Sequence, residues 1–139
     1  MKITIEIVVK ANLSSVWDTW NNPEDIKQWN TAQDDWQTTR STVDLREGGK
    51  FLSRMEAKDG SLGFDFEGTY TRVVPLSIIE YRMSDGREAK VEFLKRGDSL
   101  NVKTTFDAET ENPPEKQRAG WQAISDNFGR YVEMKAQAK

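Results

Sequence analysis

The 139-residue sequence contains no cysteine and no histidine. Without cysteine there are no disulfides, no thiolate metal sites and no cysteine nucleophile. Without histidine the commonest general base and the commonest transition-metal ligand are missing, so Ser-His-Asp and Cys-His arrangements cannot be assembled from this chain. Long apolar runs are absent too. No segment approaches the roughly 20 apolar residues that span a bilayer. Neither sign of charge dominates: 20 basic and 23 acidic residues leave a net −3 and are mixed along the chain. That pattern offers no basic field for nucleic acid. Proline is scarce, and Pro23, Pro75, Pro113 and Pro114 each fall where an element is expected to begin or end.

What remains fits one domain over residues 1–139. A chain of this size buries about 68–70% of its unfolded surface, so it needs no covalent or metal staple. Its first residues, Met1-Lys2-Ile3-Thr4-Ile5-Glu6, alternate apolar and polar and lack the apolar core of a signal peptide. A cytoplasmic protein is the expectation.

The periodicities order the elements. Ile3, Ile5, Ile7 and Val9 alternate, as on a half-buried strand. Asn12 is placed to cap a short helix whose apolar face is Leu13, Val16, Trp17 and Trp20. Asn22-Pro23-Glu24-Asp25 starts a second: a cap, proline at the first position, acids at the positive end. From Trp36 the period changes to two. Strands are predicted over Trp36–Leu45, Phe51–Ala57, Phe64–Val74, Ile79–Met83, Ala89–Phe93 and Leu100–Phe106, separated by turns at Gly48-Gly49, Asp59-Gly60, Pro75, Asp85-Gly86 and Gly97-Asp98. Gly68 inside the third of these predicts a bend or close packing. After Asn112-Pro113-Pro114-Glu115 no proline follows. The spacing predicts one helix of about 24 residues, roughly 36 Å long, with Asn112 as its cap, Pro113 at its first position and a stripe of Trp121, Ile124, Phe128 and Val132. One long helix after a long antiparallel run must bury its stripe on that sheet.

This order resembles the helix-grip fold of the START-like (SRPBCC) superfamily. More narrowly, it is similar to bacterial members of the group named for the activator of Hsp90 ATPase homologue 1. The matching pieces are Val16-Trp17-Asp18, Pro23-Glu24 and Trp29; Asp44-Leu45-Arg46-Glu47-Gly48-Gly49-Lys50-Phe51; Phe66-Glu67-Gly68-Thr69-Tyr70 with Val73-Val74-Pro75; and Gly120-Trp121. The resemblance implies an α+β fold: a curved antiparallel sheet of about seven strands around a long C-terminal helix, with two short helices after the first strand. It also implies relatives as varied as lipid carriers, hormone receptors, polyketide cyclases and co-chaperones, so function has to be argued from the site.

Strand alternation gives a candidate inward set: Phe51, Ser53, Met55, Phe64, Phe66, Tyr70, Tyr81, Met83, Val91, Phe93 and Phe106, closed from the helix by Trp121, Ile124 and Phe128. Trp29 and Trp36 flank a polar loop and are candidates to line or gate the same space. The set is richer in aromatics and polar tips than an aliphatic core, and buried hydroxyls need partners. The expectation is therefore a binding module for a small, largely apolar molecule, without catalysis, cofactor or metal. The alternatives are a co-chaperone-like protein working through its surface and a cyclase- or hydrolase-like enzyme, which would require an inward carboxylate or arginine beside a tyrosine. Gly48-Gly49-Lys50 is not a phosphate loop: Asp44 stands where its first glycine belongs and Phe51 where Ser or Thr is required. Asp34-Asp35 and Asp65/Glu67 lack calcium-loop spacing and read as solvated acids. Nothing in the sequence locates an oligomer interface, leaving monomer and homodimer open.

Overall fold

The computed structural model describes residues 1–137. The order is β1 (Lys2–Val9), α1 (Leu13–Asn21), α2 (Pro23–Trp29), β2 (Trp36–Val43), β3 (Lys50–Ala57), β4 (Gly63–Val74), β5 (Ile78–Met83), β6 (Glu88–Arg96), β7 (Ser99–Asp107) and α3 (Pro114–Gln137). The seven strands form one antiparallel sheet in the order β1-β7-β6-β5-β4-β3-β2. Strands β2 to β7 are a simple meander, and β1 returns to pair with β7, Ile3 opposite Phe106 and Ile7 opposite Val102. Register slips at Thr38/Arg40 and Tyr70/Arg72 mark bulges, which sharpen the local twist and help curl the sheet.

The helices fill the concave face. The stripe on α3 buries Phe128 and Val132 completely, packing the helix along β1, while α2 lies by β2 and α1 reaches β6. Capping follows the sequence at the first two helices. The Asn12 side chain accepts from Ser15 N at 2.8 Å. Asn22 serves twice: its backbone N–H closes α1 on Asp18 O, and its side chain accepts from Glu24 N to open α2, with Pro23 at the first position.

The start of α3 differs from the expectation. The helix begins one residue later, at Pro114, and the Pro113 carbonyl accepts from Gln117 N. The Asn112 side chain donates to Glu109 Oε1 rather than accepting from the helix. Gln117, nearly buried, ties the approach loop instead: its Oε1 accepts from Glu109 N, and its Nε2 donates to the Glu109 and Asn112 carbonyls. With two prolines in a row, the second takes the first helical position and the cap shifts with it.

Candidate functional site

Between the sheet and the helices lies a cavity of about 310 Å³. Alternation along the strands supplies one wall: Phe51, Ser53 and Met55 from β3, Phe64, Phe66 and Tyr70 from β4, Tyr81 from β5. One turn of α3 supplies Trp121, Ile124 and Ser125, and Trp29 enters from α2. Gly68 makes the strand wall possible. A Cβ there would come within 2.5 Å of Arg82 O and 2.9 Å of the Phe51 ring. The bare backbone lets that ring settle 5.3 Å from Tyr70 and 4.9 Å, edge-on, from Tyr81. Phe66 then meets Trp121 edge-on at 6.4 Å.

The remaining candidates lie outside this wall. Phe106 stands behind it, stacked flat against Trp121 at 3.9 Å. Phe128 is sealed under Trp20 and Trp29. Phe93 is covered by Trp17 and Trp20, and Met83 and Val91 are buried core. Trp36 faces an outer polar groove with Lys27, Lys58 and Arg130, touching the half-exposed Phe64 at 5.9 Å.

The wall also holds residues that the sequence did not single out: Trp20, Asn21, Ile26 and Asn30 around α1 and α2, Thr42 and Val43 at the end of β2, Arg87, Thr104 and Ser125. Thr104 shares a strand face with Phe106, so alternation could have found it. Arg87 sits beyond a turn, where alternation says nothing.

Polar side chains interrupt the aromatic lining. Ser53, Ser125 and Thr104 are all buried, and Thr104 Oγ1 has no hydrogen-bond partner among the described residues. An unmet buried hydroxyl costs about 1–3 kcal/mol, and this oxygen is sealed by its neighbours, so the fold bears that cost. Trp29 Nε1, by contrast, is engaged with Thr19 O at 3.2 Å. Burial pushes the Tyr70 phenol well up, aided by the Asp44 charge. Burial does the same to Tyr81, reinforced by Tyr70 and opposed by Arg87. Both are neutral hydroxyls at neutral pH. Among the described residues no carboxylate lines the cavity, and no cluster of three or more acids could hold a metal ion.

Asp25, read from the sequence only as an acid at the start of a helix, is buried. Asp25, on α2, accepts from Tyr131 Oη at 2.6 Å and Lys135 Nζ at 2.9 Å, tying α2 to the end of α3. Burial, then the hydrogen bond to Asp25, pushes the Tyr131 phenol up to about 12. All three tyrosines of the chain are thus raised. Free phenols titrate at about 10, so below that pH both folded and unfolded chains keep their protons and the stabilisation is complete. Above it the unfolded chain ionises first, and stability falls as pH climbs toward the folded values. An alkaline titration followed by phenolate absorbance is expected to stay flat through about pH 10.5 while the fold persists. A phenolate step near 10 in folded protein would contradict this environment.

A curved antiparallel sheet gripping a long C-terminal helix over a lined hollow defines a START-like helix-grip protein, a ligand-binding fold that hosts varied roles. Within that class the chain belongs to the activator of Hsp90 ATPase homolog 1-like family, whose family model matches residues 10–133. It is similar to the solution structure of an AHSA1-like protein from Aeromonas hydrophila, with 50% identity and a TM-score of 0.92 over 97% of this chain and 94% of that one. A Cytophaga hutchinsonii protein is 41% identical, TM-score 0.84, over 99% and 96%. A Nitrosomonas europaea protein shares the fold at 17% identity, TM-score 0.82, over 97% and 96%. No curated protein matches the chain. Among the described residues no helix is long and apolar enough to cross a membrane.

Proposed function

We propose that the protein binds a small, largely apolar molecule in this cavity and does no chemistry on it. The observation that carries the reading is a hollow of about 310 Å³ walled by aromatic rings, with the Tyr70 and Tyr81 side chains in its lining. Small-molecule sites are mostly apolar with a few placed polar groups, and begin at about 300 Å³. Catalysis is disfavoured by the same wall. It does hold Arg87 together with Tyr81, the pairing an enzyme would need, but it offers no carboxylate among the described residues, and burial keeps both tyrosines protonated at neutral pH, so no base is at hand.

The test uses 2-methylnaphthalene, a neutral two-ring probe. Trp20, Trp29 and Trp121 line the cavity, so filling it should quench or shift tryptophan emission. The change is expected to saturate, and calorimetry at several temperatures should give a negative heat-capacity change, the mark of apolar burial. If neither the probe nor metabolite extracts of the host give a saturable signal, the container reading falls and a surface-interaction role replaces it.

A further inference from the structure

Among the described residues Arg87 is the only charged side chain in the cavity wall. A guanidinium facing an apolar hollow is costly unless matched. Its position is nonetheless fixed. The turn before it is closed by Gly86 N on Met83 O, Arg87 N on Asp85 Oδ1, and Met83 N on Arg87 O. Its Nε donates to Asp85 Oδ2 at 2.7 Å, and Nη1 makes a long 3.4 Å bond to Asp107 O. A guanidinium has five N–H donors in a planar fork, so most of its capacity is unspent. Asp85 is the more exposed partner, 54% against 27%, Arg87 borders the cavity, and its Nη2 makes no hydrogen bond among the described residues. Tyr81 lies two residues before Met83 on the same inward face and pairs across the sheet with Tyr70. The Arg87 charge is felt at the Tyr81 phenol. Asp44, whose charge reaches Tyr70, is itself paired with Arg46 at 2.9 Å.

We propose that the cavity selects amphipathic ring compounds bearing one carboxylate, the anion held by Arg87 and the Tyr81 and Tyr70 hydroxyls and the ring body against Phe51, Phe66 and Trp121. This rests on the container reading and names the ligand class for it. A planar carboxylate matches the fork of arginine, and a buried phenol is a neutral donor to the same oxygens. A phosphate monoester, with about −1.5 to −2 charges, would outrun a single guanidinium.

The test compares 2-naphthoate with 2-naphthamide, which has the same rings and no charge, by tryptophan-emission titration at neutral pH. Naphthoate is expected to bind at least about tenfold more tightly. Arg87→Gln should bring the ratio to within about twofold of one, and Arg87→Lys should restore part of the preference. Arg82→Gln, on the exposed outer face of β5, should leave the ratio as it is. A wild-type ratio near one, or a preference that survives Arg87→Gln, overturns the assignment. If 2-methylnaphthalene binds while the ratio is one, only the carboxylate inference fails. If no naphthalene probe binds at all, this inference fails, and the container reading fails with it only if host metabolite extracts also give no saturable signal.

Discussion

Replacing Phe128 with alanine is expected to lower stability by about 3–5 kcal/mol, the usual cost of deleting a buried aromatic. Its ring is fully buried and meets Trp20 of α1 at 4.8 Å and Trp29 of α2 at 4.9 Å, both edge-on. One residue of α3 therefore joins all three helices. A domain of this kind has only about 5–15 kcal/mol in total, so the loss is a large share. The urea midpoint should fall sharply while the slope of the transition stays the same, because the surface exposed on unfolding hardly changes. Trp121→Ala should cost less. Its ring rests on Phe106 on one side but borders the cavity and is only partly buried. A loss below about 1 kcal/mol for Phe128→Ala would mean that α3 does not present this face to the other helices.

Ser125→Phe is expected to abolish probe binding, weakening it by about 100-fold or more, roughly 2.7 kcal/mol. Ser125 is buried, lies one turn beyond Trp121 on α3 and borders the cavity. A phenyl ring there has an empty space to enter, so the strain should stay within the lower part of the roughly 1–3 kcal/mol typical of overpacking. Melting curves and 2-methylnaphthalene titrations on the same variant separate the two effects. Glu88→Ala, on the exposed rim of the sheet, should change neither. Unaltered binding by a folded Ser125→Phe protein would place the probe somewhere other than this cavity.

Much of the fold was legible because its signals are local. Ile3, Ile5, Ile7 and Val9 alternate and are all buried. The spacing of Trp121, Ile124, Phe128 and Val132 names the face of α3 that meets the sheet. The site was legible only halfway. Period two says that Phe66 and Phe93 both face inward, but not which part of the concave face a helix fills. Trp17 and Trp20 of α1 cover Phe93, while the α3 ring facing Phe66, Trp121, stands off at 6.4 Å. That depends on how α1 and α3 cross the sheet, a property of contacts far apart in sequence. Phe64 sits next to the β3–β4 turn, at the open edge of the cavity wall, and is 49% exposed despite its inward phase. Arg87 was hidden for a related reason. At a hairpin end the side-chain direction is set by the turn, here by the Asp85 contacts, and not by the alternation of the strand that follows.

The double duty of Asn22 has a mechanical consequence. Asn22 alone separates α1 from α2, so the pair has one joint and little slack. Trp20 and Asn21 sit just before that joint, Ile26 and Trp29 just after it, and all four face the hollow. The grip of Tyr131 and Lys135 on Asp25 pins the second helix to α3. Side chains on this flank are thus geared together. Turning one of the two short helices would therefore turn the other and load the Asp25 clasp.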